Sequence, residues 1–394
     1  MDQNEIVIVA AKRTPMGNML GSLSSLTAPQ LGAIANKAAL EQAGISAADI
    51  DEVIMGCVLQ AGIGQAPARQ ATILADMPNS TPATTINKMC GSGMKAVMLA
   101  ADLLKAGSAN VVLAGGMESM SNAPYLLQKA RAGYRLGHGE IKDHMFLDGL
   151  EDAYDKGQLM GVFAEETASH FNFSRNEQDE YATASMKKAL KAQETNAFQQ
   201  EIAAVVIEDK KGKVTIDKDE TPDANKLAKI TQLRPAFKAD GTVTAANSSS
   251  ISDGAASLIL TTAATAKKLG LKPLAKIVAY ASHAQAPQWF TTAPVDAIRK
   301  VLNKAGWNTD DVDLFEINEA FAVVAMAAIN QLELDDNKVN VHGGACALGH
   351  PIGASGARIL VTLMNALNQQ GKTRGIASLC IGGGEATAMA IEMI

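Results

Sequence analysis

One supersecondary pattern occurs twice in this chain, and that repetition restricts its fold more than any other feature. Leu40-Glu41-Gln42-Ala43-Gly44 runs on through Asp49-Ile50-Asp51, and Leu302-Asn303-Lys304-Ala305-Gly306 runs on through Asp311-Val312-Asp313. Each stretch reads as an amphipathic helix, a glycine stop, a short acidic loop and an apolar strand. A second pair follows. Gly91-Ser92-Gly93-Met94-Lys95 opens a helical run ending near Gly107, then the strand Val111-Val112-Leu113-Ala114 and the turn Gly115-Gly116. Ala354-Ser355-Gly356-Ala357-Arg358 opens a run ending near Gly371, then Ile376-Ala377-Ser378-Leu379 and Gly382-Gly383. Strand and helix alternate in both halves, so the spacing predicts an α/β protein with mostly parallel sheets under helical cover. One helix per half is rich in small residues and reads as buried on all sides. At 394 residues the chain exceeds one ordinary core, and two or three domains are expected.

The segment from about Ser121 to Asn247 differs in character. It carries a polar helical stretch, Arg175 to Asn196, and a Lys/Asp-rich, hairpin-like stretch, Val206 to Ile216. It reads as a long insertion over the core, forming a lid or binding surface. The net charge of -6 offers no reason to expect nucleic acid or an anionic membrane as partner. No stretch approaches the ~18–20 uncharged apolar residues of a membrane span. Met1 to Ala10 is acidic before its apolar run and reads as a strand, not a signal peptide. The four cysteines, Cys57, Cys90, Cys346 and Cys380, do not make a disulfide framework, and free thiols in a reducing cytoplasm are the plain reading.

Three glycine-rich turns could carry chemistry. Cys90 sits in Asn87-Lys88-Met89-Cys90-Gly91-Ser92-Gly93-Met94, between a β-leaning run and a helical one. A helix N-terminus favours a thiolate, so a lowered thiol pKa and a nucleophile are expected. The competing reading is a small apolar core residue. Cys380 precedes Ile381-Gly382-Gly383-Gly384, whose N–H groups make either an oxyanion site or only a tight turn. No Lys-Ser/Thr follows, which argues against a phosphate loop. His350 is held on a rigid Gly349-His350-Pro351 turn, whereas His138, His144, His170 and His283 read as solvated. His342, Cys346 and His350 are spaced by four, but Gly343, Gly344 and Pro351 argue against the helix that would align them, so no metal is expected. Asn318, after the strand Leu314-Phe315-Glu316-Ile317, is either a helix N-cap or an amide aimed at a water or an oxyanion. Gly62-Ile63-Gly64 starts like a dinucleotide fingerprint, but Pro67 replaces the third small residue and no strand directly precedes it.

Taken together these loops resemble the motifs of the thiolase family. They are Asn87 to Gly93, Gly115-Gly116-Met117-Glu118-Ser119-Met120-Ser121, Asn318-Glu319-Ala320-Phe321-Ala322, Gly343 to Gly353, and Cys380 to Gly384. The resemblance covers essentially the whole chain, duplication included, and is strongest to the short-chain acetyl-CoA C-acetyltransferases. It implies two pseudo-symmetric five-layered halves (α-β-α-β-α) plus an inserted loop domain. The N-terminal half would span 1–120, completed by 248–272, the insertion 121–247, and the C-terminal half 273–394. It implies coenzyme A and acetyl-CoA as substrates, no permanently bound cofactor, and a homo-oligomer, with a tetramer favoured over a dimer. By matching motif, Cys90 is the acyl-accepting nucleophile, His350 deprotonates it and helps stabilise an enolate oxygen, and Cys380 moves the proton at Cα. Asn318 holds a water in one oxyanion hole, and the N–H groups of Cys90 and Gly382 form the other. Ala246 and Ser249 would contact pantetheine, and Leu159, Phe290 and Phe321 would line the substrate.

Several positions depart from the short-chain pattern: Leu159 where a His is common, Trp289-Phe290 near a usual Met, His342 for Asn or Gln, Glu385 after the triple glycine, and Asp223 in a region often basic. These bear on acyl-chain preference, so a broader-chain 3-ketoacyl-CoA thiolase of fatty-acid degradation is the alternative. A ketoacyl-synthase-like condensing enzyme pairs one cysteine with His and Asn or His, and Cys380 argues against it. A non-catalytic binding subunit would be expected to lack one of the three groups.

Overall fold

The structure, a computed structural model, describes residues 2–209 and 212–394. Met1, at the start of the expected N-terminal strand, and Lys210-Lys211, at the tip of the expected hairpin, lie outside the described residues.

Nine strands form the body of one mixed sheet: β1 (Ile6–Arg13), β2 (Glu52–Gly56), β3 (Ala83–Ile86), β4 (Val111–Ser119), β5 (Ser252–Thr262), β6 (Ala275–Ala284), β7 (Leu314–Ile317), β8 (Arg374–Ile381) and β9 (Glu385–Met393). The two-residue strand Gly17–Asn18 adds to β5. The spatial order is β7-β8-β9-β6-β1-β5-β4-β2-β3. The duplication is visible in it, because β2-β4-β5-β1 and β7-β8-β9-β6 repeat one arrangement. The halves meet along the short pairing of Val7 with Lys276 and Ile8 with Ala275.

Mostly parallel pairing was expected, and the structure corrects this. Only β2–β3, β2–β4 and β7–β8 are parallel. The pairs β4–β5, β5–β1, β1–β6, β6–β9 and β8–β9 are antiparallel. The physical reason is clearest between β8 and β9, where three glycines connect the strands. A parallel crossover needs a dozen or more residues, whereas a tight turn gives a hairpin.

Seven helices matter to the site: α1 (Ala28–Ala43), α2 (Ser92–Lys105), α3 (Met160–Phe171), α4 (Arg175–Glu194), α5 (Ala293–Ala305), α6 (Ala322–Leu332) and α7 (Ile352–Gln369). Helix α1 covers one half of the sheet from outside and α5 the other, while α2 and α7 pack together between them. The layers therefore run α-β-α-β-α. Every residue of α7 from Ile352 to Leu367 is buried, as its small-residue content predicts. The two central helices touch through glycine. A Cβ on Gly93 would lie 2.7 Å from the Ala357 nitrogen, closer than any side chain tolerates. That contact brings the starts of α2 and α7, and with them Cys90 and His350, to one place.

The polar helix α4 begins with a capping box of Ser174 and Glu177. The hairpin pairs Val205–Asp209 with Gly212–Ile216. Buried Arg13 of β1 anchors this region, its Nε 2.6 Å from Glu201 Oε1 and one terminal nitrogen 2.6 Å from Asp219 Oδ1. Among the described residues no helix is long and apolar enough to cross a membrane.

Candidate active site

Cys90 lies on the turn between β3 and α2. Met89 before it has φ +46°, a left-handed conformation rare outside glycine, so the turn must be held by its surroundings. Ser92 holds it: Lys88 N–H donates to Ser92 Oγ (2.8 Å), and Ser92 Oγ donates to the Met89 carbonyl (2.7 Å). Gly91 caps the helix, and a Cβ there would strike Ile381 of β8. The Cys90 turn can therefore lie directly on the turn after Cys380.

The expected lowering of the Cys90 pKa is corrected. Burial pushes the thiol up to about 11, although the Gly382 and Cys90 N–H groups pull it down. The sulfur sits ahead of the first helical residue in a site lined by apolar groups, and the loss of solvation outweighs the local N–H dipoles.

His350 is buried, with Nδ1 2.5 Å from Ser355 Oγ, and Ser355 Oγ donates to the Pro351 carbonyl at 2.9 Å. The Ser355 proton is committed to Pro351, so Nδ1–H is the donor to Oγ and Nε2 keeps its lone pair. Among the described residues Nε2 has no protein partner. Burial first, then the positive charge of Arg358, lowers the imidazole pKa to about 3, so it is neutral. Asn318 is not the N-cap of α6, which is Phe321. Its amide nitrogen lies 3.5 Å from His350 Nδ1, and its buried Oδ1 has no partner among the described residues. His144, expected to be solvated, is buried, with Nδ1 2.6 Å from Asp148 and Nε2 accepting from Ala61 N–H.

Cys380 is the penultimate residue of β8, fully buried in the apolar cluster that includes Phe290 and Phe321. Burial, then neighbouring Cys90, pushes its thiol well above the ordinary range. Gly382, two residues on, lines the same cavity as Cys90, and its N–H favours the Cys90 thiolate. Gly383 and Gly384 have φ +92° and +85°, and a Cβ on Gly384 would collide with the Gln285 carbonyl, so the turn requires glycine there.

A cavity of about 380 Å³ opens on these groups. Cys90, His350 and Gly382 line it, as do Ser249, Leu159, Phe290 and Phe321. Asn318 and Cys380 lie behind this surface. Ala245, not Ala246, is on the cavity wall. Met89, Met160 and Phe237 also line it, and sequence reasoning missed them. Phe237 meets Phe321 edge to face at 6.0 Å between centroids, and Phe290 meets Phe321 at 6.5 Å. Glu118 belongs to the Gly115–Ser121 motif. Its buried carboxylate accepts from Val58 (3.0 Å), Leu59 (3.1 Å) and Gly353 (2.9 Å), tying the N-terminal half to the first turn of α7. Ser355, five residues after His350, was legible only as part of a small-residue helix.

Comparison with known proteins gives matches over nearly the whole chain. The family model described as thiolase, N-terminal domain, matches residues 6–264, and that described as thiolase, C-terminal domain, matches 271–393. A Cupriavidus necator protein named acetyl-CoA acetyltransferase is 49% identical over 390 residues, 98% of this chain and 99% of that one. Acetyl-CoA acetyltransferase 1 of Arabidopsis thaliana is 50% identical over 398 residues, 100% of this chain and 95% of its own. The crystal structure of the Bacillus anthracis acetyl-CoA acetyltransferase superposes with a TM-score of 0.97 at 42% identity, covering 99% of each chain.

Proposed function

This chain belongs to the thiolase family, and from that premise we propose that it is an acetyl-CoA C-acetyltransferase working through an acetyl-Cys90 intermediate. The observation that carries the reading is the convergence of Cys90, His350 and Gly382 on one largely apolar cavity, with Cys380 packed behind them.

Cys90 is the nucleophile and His350 Nε2 its base. With the thiol near 11 and the imidazole near 3, neither charge forms alone in the free site. Proton transfer is therefore coupled to attack: the Cys90 proton passes to Nε2 as the sulfur bonds the thioester carbon. The same proton leaves with the departing coenzyme A sulfur. The developing oxyanion takes the N–H groups of Cys90 and Gly382. In the second half, Cys380 acts as thiolate once acetylation removes the neighbouring Cys90 charge: it takes a proton from Cα of another acetyl-CoA, and the enolate carbon attacks the acetyl-Cys90 carbonyl. Cys90 leaves as thiolate and takes that proton from Cys380, which returns to thiolate, giving acetoacetyl-CoA and free coenzyme A across the two halves. Asn318, with its unpartnered Oδ1, holds the water that supports the enolate oxygen beside His350. Thiolysis is the reverse sequence.

Phe290, Phe321 and Leu159 bound the acyl end, and Ser249 and Ala246, beside the cavity-lining Ala245, contact the pantetheine arm. The three segments 1–120 with 248–272, 121–247 and 273–394 are the two halves and the lid. The enzyme works in the cytoplasm as a homo-oligomer, with a tetramer favoured. Leu136 is 97% exposed and Ile141 64% exposed on the glycine-rich insertion loop, apolar surface that a second copy would cover.

A broader-chain thiolase is the second reading, favoured by Leu159 and Met160 on the apolar cavity wall. Comparing kcat/KM for 3-ketoacyl-CoAs of about four, six and ten carbons decides between them. Each added methylene forced against packed atoms costs about 1–3 kcal/mol, so efficiency falls with length under the first reading. Equal or rising efficiency refutes it.

A further inference from the structure

The two turns that build the sulfur site come from opposite halves of the chain, and one ion pair spans them. Lys88, two residues before Cys90, directs its ammonium at the Glu385 carboxylate, one residue after the triple glycine. Both ends are rooted in rigid backbone. The Lys88 N–H is held by Ser92 Oγ at 2.8 Å, and its carbonyl accepts from Gly91 N–H at 3.0 Å. Glu385 pairs with Ile381 on one side and Ala284 on the other, so its backbone is fixed in the sheet. What lies between is loose by composition: Gly382, Gly383 and Gly384 carry no side chains, and the last two have positive φ. The first of these glycines, Gly382, lines the cavity together with Cys90, and its N–H draws the Cys90 thiol pKa down.

The exposure of the pair shows what it is not for. The Lys88 side chain is 25% exposed and that of Glu385 35% exposed. Water and salt screen such pairs, and they contribute little to stability. The location gives it a different effect, because shortening or lengthening this link moves the Gly382 turn relative to the Cys90 turn.

We propose that the Lys88–Glu385 ion pair is a positioning clamp that holds the Gly382 N–H against the Cys90 sulfur and so sets the geometry of one oxyanion hole. The clamp rests on the reading of Cys90 as nucleophile. Neither Lys88 nor Glu385 touches a reacting atom, and both act through the turns they join. It also gives a physical role to Glu385, one of the positions at which this chain departs from the short-chain pattern.

The test is a double-mutant cycle on the full-length enzyme with Lys88→Met, Glu385→Gln, both together, and the reversed pair Lys88→Glu/Glu385→Lys. Four readouts are taken: kcat/KM for acetoacetyl-CoA thiolysis, KM, the pH midpoint of Cys90 alkylation by iodoacetamide, and the thermal midpoint. Removing an oxyanion-hole donor outright costs about 10²–10³ in rate, and displacing one costs less, so each single variant should lose roughly tenfold in kcat. KM should change little. The double variant should be no slower than either single one. The alkylation midpoint should rise, since the Gly382 N–H stabilises the thiolate. The reversed pair should recover most of the lost rate while the thermal midpoint stays close to wild type. Additive single effects, an unmoved alkylation midpoint, or rate losses that follow the thermal midpoint would each overturn the clamp and leave Cys90 as nucleophile. Acetyl label retained by a Cys90→Ala variant would instead overturn the underlying reading.

Discussion

Replacing Ser355 by alanine tests whether the protein selects the His350 tautomer that the chemistry needs. Ser355 Oγ is the acceptor 2.5 Å from His350 Nδ1, and it donates onward to the Pro351 carbonyl at 2.9 Å. Alanine removes one oxygen from a site that is 1% exposed, so little packing is lost and no solvent water replaces the partner. The Nδ1–H is then a buried donor without an acceptor, at a cost of about 1–3 kcal/mol. That cost falls on the productive tautomer alone. A ring that shifts its proton to Nε2 escapes the penalty and points a proton, not a lone pair, into the cavity. The active fraction should fall by roughly 5- to 150-fold, the range to which such an energy corresponds. The low end applies if Asn318, 3.5 Å away with an unpartnered Oδ1, turns its carbonyl oxygen toward Nδ1. The assay is the single-turnover rate of acetyl transfer from labelled acetyl-CoA to Cys90, with urea unfolding as control. An acetylation rate within twofold of about wild type, in a folded variant, refutes the assignment of the proton to Nδ1.

Further outcomes are expected. Cys90→Ala should abolish both acetyl labelling and turnover, while Cys380→Ser should still take the label but condense and cleave slowly, and the opposite pattern would exchange their roles. Glu118 has its pKa pushed up by burial from 4.5 to about 7 and Glu316 likewise to about 7, so the folded state binds more protons than the unfolded chain between these values. Their share of stability is therefore full below about 4.5 and is lost as pH rises toward 7. Glu118→Gln should flatten that slope in unfolding free energy measured across the window, and an unchanged slope would show that Glu118 is ionised throughout. Arg358→Met leaves Glu316, 2.9 Å from the guanidinium, as an unpaired buried carboxyl. It should destabilise the fold by about 3–5 kcal/mol at neutral pH and by less in acid, as read by urea titration.

Three things about this protein were legible in the amino-acid order alone. The duplication was one, because helix and strand periods and glycine stops are local patterns that survive without knowledge of partners. The buried character of α7 was another, since small and apolar residues on every face leave no solvent side. The third was the placing of Cys90, His350 and Cys380 on or beside glycine-rich turns, because such turns carry their signal in a few adjacent residues.

Long-range contacts decided the rest. Strand direction could not be read from alternation of elements, because it depends on which strands become neighbours after the insertion returns the chain at β5. The pKa of Cys90 turned on how much water the opposite half removes, which no local motif contains. Asn318 reads equally as a cap in its own segment, and its partner is 32 residues away at His350. Glu118 accepts from Gly353, 235 residues further on, and Lys88 meets Glu385 across 297. The sequence by itself determined which nucleophilic and basic side chains stand on glycine-rich turns. Tertiary packing decided which of them share a largely apolar cavity, with which protons and at what pKa, because desolvation and hydrogen-bond geometry are properties of surroundings assembled from the whole chain.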